Sequence, residues 1–220
     1  RVLFRSTVEN AHPHISSKGK FALVHNGIIE NSEEIKKGSL HENSHFLSHT
    51  DTEVAVHLLE KNYKGDVVEA LSRTCGELKG SYAFGILCED FPDKLFAVAK
   101  NSPLVATKGE RGNYIASDIC AVNENPKEIY RVKDGEICVI DAENISFYDK
   151  NGGKIQKTPD KNEIDKGEVS KGEYEHFMIK EIMEQPEAVG KTVNSFLVKN
   201  KIDFQNIRID DSFFKNRFKK

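Results

Sequence analysis

Apolar residues along the chain change their spacing several times, and each change predicts a different element. Ala22-Leu23-Val24 and the preceding Phe21 form a continuous apolar run of strand length, which predicts a buried strand. The run drives into His25-Asn26-Gly27, resumes for Ile28-Ile29 and stops at Glu30-Asn31. Asn31-Ser32-Glu33-Glu34 reads as a helix cap with an acidic first turn, predicting a short polar helix over Ser32 to Lys37. Thr50-Asp51-Thr52-Glu53 then opens an apolar-periodic run through Val54, Val56, Leu58 and Leu59, an amphipathic helix with Asp51 as a cap candidate. A further helix carries Val67, Val68, Ala70 and Leu71 on one face.

Beyond these helices the spacing falls to strand period. Ser81 to Cys88 and Leu95 to Ala99 are expected strands flanking an acidic turn, Glu89 to Asp93. Asn113 to Ser117, Glu128 to Arg131, Glu136 to Ile140 and Ile145 to Tyr148 continue the series, with tight turns at Asp134-Gly135 and Asn151-Gly152-Gly153. An antiparallel meander with helices near its start predicts an α+β layered sandwich. Lys157 to Gly172 is dominated by Lys, Asp and Glu and reads as a linker. Tyr174, Phe177, Met178 and Ile182 then recur at helical spacing, Pro186 interrupts or restarts the helix, and Val189, Val193, Phe196 and Leu197 carry the next one. That apolar stripe has little core of its own to meet.

Asn26-Gly27 allows two readings. Asn-Gly between apolar residues is a hairpin-turn signal. At an exposed strand end, however, a side-chain amide beside a glycine N–H offers two neutral donors, the form of an oxyanion hole. Asp51 is likewise either a cap or a carboxylate presented at the mouth of its helix. His12 and His14 flank a proline, and His41, His45 and His49 recur every four residues. Helical spacing would put the latter on one face, but Glu42-Asn43-Ser44 makes a poor helix and no zinc-motif spacing occurs, so no metal site is assigned.

Composition narrows the class. The chain has 220 residues and a net charge of −3, enough for one sizeable core and too little basic excess for a nucleic-acid surface or a membrane-surface module. It carries neither a signal peptide nor a membrane-length apolar run, so a cytoplasmic location is expected. Cys75, Cys88, Cys120 and Cys138 form no Cys-x-x-Cys pair and are read as structural thiols.

His25-Asn26-Gly27-Ile28-Ile29-Glu30-Asn31, Thr50-Asp51-Thr52-Glu53-Val54 and Gly80-Ser81-Tyr82-Ala83, taken together, resemble the glutaminase domain of class II glutamine amidotransferases. The segment from Met178 through Lys180-Glu181-Ile182 to Glu184-Gln185-Pro186 resembles the junction, in one branch of that family, with a sugar-isomerase domain. The resemblance implies an N-terminal-nucleophile hydrolase αββα sandwich, incomplete at its N-terminus. It implies that Asn26 and Gly27 hold the tetrahedral oxyanion, that Asp51 pairs with the ammonium of glutamine, and that His12 lies near the pocket in a role left open. Glutamine and, through the missing isomerase domain, fructose 6-phosphate are the implied partners, glucosamine 6-phosphate and glutamate the products. No cofactor, metal, nucleic acid or membrane is implied, and the full-length parent is expected to be a homo-oligomer.

The departures from the family shape further expectations. The nucleophilic cysteine, and the segment that grips the glutamine carboxylate, should precede Thr7 and are missing. The chain as written is therefore expected to be inactive. Residues 1–6 could be encoded by the end of a sequencing adapter and are read as an artefact, an ordinary strand start being the alternative. The expected organisation is a partial glutaminase domain over 7–156, a charged linker over 157–172, a helical junction over 173–213 and a frameshifted or truncated tail over 214–220. A non-catalytic glutamine-binding module, another class II amidotransferase and a structural domain in which Asn26-Gly27 is only a turn remain open.

Overall fold

A computed structural model describes residues 7–40, 46–122, 126–160, 171–198 and 201–202. The expected artefact at 1–6, the tail at 214–220 and the histidines His41 and His45 lie outside the described residues. The chain divides into two units, Arg1–Glu163 and Ile164–Lys220.

In the first unit, β1 (His14–Ile15) and β2 (Phe21–Ile29) precede three helices, α1 (Ser32–Gly38), α2 (Asp51–Asn62) and α3 (Val67–Glu77). The strands β3 (Gly80–Cys88), β4 (Phe91–Lys100), β5 (Val105–Lys108), β6 (Asn113–Ala116), β7 (Glu128–Arg131), β8 (Ile137–Ile140), β9 (Ile145–Tyr148) and β10 (Lys154–Ile155) follow. They form an antiparallel seven-stranded sheet, β1-β2-β3-β4-β8-β9-β10, and a three-stranded sheet, β6-β5-β7.

Period-two alternation gives the large sheet two unlike faces. Phe21, Leu23, Tyr82, Phe84, Ile86, Phe96 and Val98 are buried with Val54, Leu58, Leu59 and Leu71 of the helices. On the opposite face Ala83, Ala97, Ala99 and Cys138 meet Leu104, Ala106 and Val132 around the small sheet. Small side chains there let two sheets approach closely; large ones opposite fill the wider gap beneath the helices. Helix, sheet and sheet are thus three layers of the expected sandwich.

Four local expectations change. The chain does not turn at Asn26-Gly27: β2 runs through both to Ile29, in unbroken register with β3, Asn26 opposite Ala83 and Gly27 opposite Tyr82. The hairpin reading gives way, because the pairing partner lies beyond the three helices; Asn26 and Gly27 do sit near the end of β2, but in extended pairing rather than at a sharp turn. Thr50, not Asp51, caps α2, accepting a bond from the Glu53 N–H. The acidic turn before β4 shrinks to Glu89-Asp90, since β4 already starts at Phe91, with a register shift beside Leu87 and Cys88. Asn31 precedes α1 without a side-chain cap bond; its amide instead donates to the Glu77 carbonyl and accepts from the Lys79 N–H, tying the helix start to the entry of β3.

The charged stretch after Gln156 begins attached to this unit. Lys157 pairs with Glu136 and lies 5.1 Å from the Phe147 ring, and Asp160 bonds the Ile129 carbonyl and Arg131. In the second unit α4 (Phe177–Ser195) is one helix with Pro186 inside it, not two. Tyr174 lies outside it, and Leu197–Val198 pair with Lys201–Ile202.

Candidate active site

Glycine is obligatory at position 27. Its φ is +139°, and an added Cβ would stand 2.2 Å from the Ser81 carbonyl oxygen. Gly80 meets the same crowding from the other strand, its virtual Cβ 2.2 Å from the Ile28 carbonyl oxygen with φ +115°. Two close backbone approaches hold the end of β2 hard against β3, where a side chain on either would part them.

The pairing also decides where the Gly27 N–H points. The Glu30 N–H donates to the Lys79 carbonyl and the Glu89 N–H to the Lys20 carbonyl, so even-numbered positions of β2 exchange hydrogen bonds with β3. Odd positions, His25, Gly27 and Ile29, direct their backbone groups to the other edge. β1 reaches along that edge only as far as Leu23. At Ile29 the N–H, beyond the reach of β1, is taken by Asp51 Oδ2 at 2.7 Å. The Gly27 N–H therefore faces the open side that Asp51 overlooks, and the Asn26 side chain beside it is exposed.

Asp51 is the first helical residue of α2, a position where the helix dipole favours a carboxylate. One oxygen is committed to β2; the other, Oδ1, lies 3.5 Å from Thr52 Oγ1. His12, His14 and His25 gather around the same helix start. Thr50 Oγ1 is 3.1 Å from His14 Nε2, and Thr52 Oγ1 is 3.0 Å from His25 Nδ1 and 3.3 Å from His12 Nε2. The His12 ring lies 5.3 Å from that of His14 and 6.5 Å from that of His25. Burial, then the neighbouring His12, pushes the His14 pKa below its ordinary 6.5. Burial also lowers that of His25, against the opposing pull of Asp51. Both imidazoles are thus neutral at neutral pH.

Behind the site, Glu53 and His57 sit one turn apart on α2, buried, with Oε1 and Nε2 3.5 Å apart. Glu53 accepts bonds from the Leu47 and Ser48 N–H groups and the Ser48 hydroxyl. Burial pushes its pKa up, but those bonds and His57 outweigh it and leave the carboxyl below its ordinary 4.5. His57 Nδ1 accepts the Ser17 N–H, placing its ring proton on Nε2, towards Glu53. This pair fastens two loops to α2, and neither residue stands out in the sequence except as part of a helix beginning.

The structure thus brings Asn26, Gly27, Asp51 and His12 to one end of β2 and α2. Sequence reasoning missed Thr50 and Thr52, whose hydroxyls organise the histidines; the Thr-Asp-Thr start of α2 was the available signal. Cys75 and Cys138 are free thiols whose pKa burial pushes up to about 11 and about 12, and Cys88, also free, is raised by burial too. They behave as packing groups, and the Cys120 side chain lies outside the described residues. Among the described residues no group of three or more His, Cys, Asp or Glu could hold a metal ion. No described helix is long and apolar enough to cross a membrane.

Comparison with known proteins points the same way. Residues 1–124 match a family described as a glutamine amidotransferase domain. The chain is 44% identical over 201 residues to the glutamine–fructose-6-phosphate aminotransferase [isomerizing] of Caldanaerobacter subterraneus, covering 91% of the chain and 33% of that protein. The same-named protein of Fusobacterium nucleatum is 42% identical, at 93% and 33% coverage. The chain therefore spans about a third of the length of these relatives. Among solved structures, glutamine phosphoribosylpyrophosphate amidotransferase of B. subtilis superposes with a TM-score of 0.57 at 24% identity, covering 68% of this chain and 34% of that one.

Proposed function

Since the chain belongs to the glutamine amidotransferase domain family and has the N-terminal-nucleophile hydrolase fold, we propose that it supplies the glutamine site of a longer aminotransferase. That enzyme hydrolyses glutamine and delivers the ammonia to fructose 6-phosphate, giving glucosamine 6-phosphate and glutamate. The observation that carries this reading is the end of β2. The Gly27 N–H lies on the strand edge that Asp51 overlooks, the exposed Asn26 side chain adjoins it in sequence, and an oxygen of Asp51 pins Ile29 two residues further on.

The chemistry follows from those positions. A nucleophile adding to the carboxamide carbon turns its oxygen into an oxyanion, which the Asn26 side-chain N–H and the Gly27 N–H stabilise without reorganising. Collapse of that intermediate, with the proton given up by the nucleophile passing to the nitrogen, breaks the C–N bond and releases ammonia; water then cleaves the acyl intermediate to glutamate and restores the nucleophile. Asp51, presented at a helix start, holds the substrate ammonium by a charge-assisted bond. His12 stands beside it through Thr52. Raised thiol pKa values keep Cys75, Cys88 and Cys138 from serving as the nucleophile, and the purified chain should bind L-glutamine and release no glutamate. Their free state suits a reducing compartment, and we place the reaction in the cytoplasm. The acceptor chemistry falls to the remainder of the longer protein, with α4 as the junction towards it.

In a full-length protein carrying this sequence and its nucleophile, Asn26→Ala should lower kcat for glutamine hydrolysis about a hundred- to a thousandfold while leaving the melting temperature within a few degrees. A wild-type rate in that variant, measured as glutamate release, would overturn the assignment.

A further inference from the structure

We propose that Thr52 is a positioning residue of the glutamine site, its hydroxyl bridging His12 and His25 so that the pocket wall and the oxyanion strand are held in one geometry. The inference rests on the glutamine reading above and goes beyond it, because it names what fixes the rim.

Thr52 is 2% exposed, so its hydroxyl must find protein partners. It lies between His25 Nδ1 at 3.0 Å and His12 Nε2 at 3.3 Å. A hydroxyl has one proton to donate and two lone pairs. Where the two facing nitrogens differ in protonation, it donates to the bare one and accepts from the other. The two tautomers are therefore chosen together. Were both facing nitrogens protonated, the hydroxyl could only accept, and its own proton would turn to Asp51 Oδ1, 3.5 Å away.

The bridge joins three pieces of chain distant in sequence. His12 belongs to the loop before β1, His25 directly precedes Asn26 in β2, and Thr52 directly follows Asp51 in α2. The His25 ring is fixed on its other side by an edge contact to Phe84 at 5.0 Å, its cross-strand partner. His14, against His12, is held by Thr50 of the same helix start. Asp51 pins β2 at the Ile29 N–H, and Thr52 pins it again at His25. Asn26 and Gly27 lie between those two anchors, so loss of the second leaves the oxyanion donors tethered at one end only.

The test is made on the full chain, with ring nitrogens followed by long-range ¹H–¹⁵N NMR and L-glutamine affinity by calorimetry. Thr52→Val keeps the buried volume and removes the hydroxyl; Thr52→Ser keeps the hydroxyl. We expect Thr52→Val to shift the ring-nitrogen signals of His12 and His25, leave those of exposed His49 unchanged, and weaken glutamine binding about fivefold, the worth of one net hydrogen bond. Thr52→Ser should restore both readouts. Wild-type ring signals together with wild-type affinity in Thr52→Val would overturn the proposal. If Thr52→Val does not fold, the wild-type chain decides: opposite protonation of His25 Nδ1 and His12 Nε2 in the ring-nitrogen shifts supports the bridge, and two unprotonated facing nitrogens refute it. A wild-type chain that does not bind glutamine defeats the glutamine reading, while the ring-nitrogen data still show whether the hydroxyl bridges the two histidines.

Discussion

Helices α2 and α4 carry similar apolar stripes in sequence, yet they end in opposite circumstances. In α2 eight residues are buried, and three of them, Thr52, Glu53 and His57, are polar. In α4 none is buried, and Met178, Ile182, Met183, Val189 and Val193 are all exposed. An amphipathic pattern says that a face wants covering; it does not say that the covering is present. The polar residues make the contrast sharper. Buried polar groups on α2 persist because each has a partner, on β2, in the His12–His14 loop, at Ser17 between β1 and β2, or in the loop before the helix.

The largest expected effect sits at the packed end of that contrast. Leu59→Ala on α2, removing a side chain that is fully buried, should cost about 2–5 kcal/mol in urea unfolding. Next, Glu53→Gln puts an amide donor among the Leu47 and Ser48 donors and should cost about 1–3 kcal/mol, with loosening of the loop before α2 visible by hydrogen exchange. Acid supplies a milder test. His14 and His25 are held below 6.5, so the unfolded chain takes up protons that the folded one refuses. Their contribution is complete above about pH 6.5 and is lost as pH falls through the lower folded values, so the melting temperature should decline in that window. A second loss should follow below 4.5, the ordinary value beneath which Glu53 is held. Smallest of all, Ile182→Ala on α4 should change the stability of this chain by less than about 0.5 kcal/mol. A cost like that of Leu59→Ala would show that the α4 face is covered after all.

The sequence was most legible where structure is local. Strands β7 and β9 fall on the residues that period-two alternation selects, and Gly135 and Gly152 turn the chain with positive φ where the Asp-Gly and Asn-Gly signals stand. It was least legible where a distant partner overrides a local signal. Asn26-Gly27 has the chemistry of a turn, but pairing with Tyr82 and Ala83 draws it straight. Val105–Lys108, a strand after Ser102-Pro103, is buried at three successive positions and so shows no alternation to mark it. Thr50 took the cap from Asp51, whose oxygen β2 had already claimed. The resemblance of short motifs named the candidate residues; only the fold could show that the hydroxyls of Thr50 and Thr52 meet His12, His14 and His25 beside them.

The pairing of Asn26 with Ala83 also sets an order of events during synthesis. When β2 leaves the ribosome, the strand that straightens it is still several dozen residues from being made. At about 5–20 residues per second the nascent segment waits for some seconds with its apolar half unpaired. Helices α1 to α3 emerge in that interval and can cover its Phe21 and Leu23 face first. Asn26 and Gly27 are among the last residues of this layer to be set, because they are straightened only when β3 arrives.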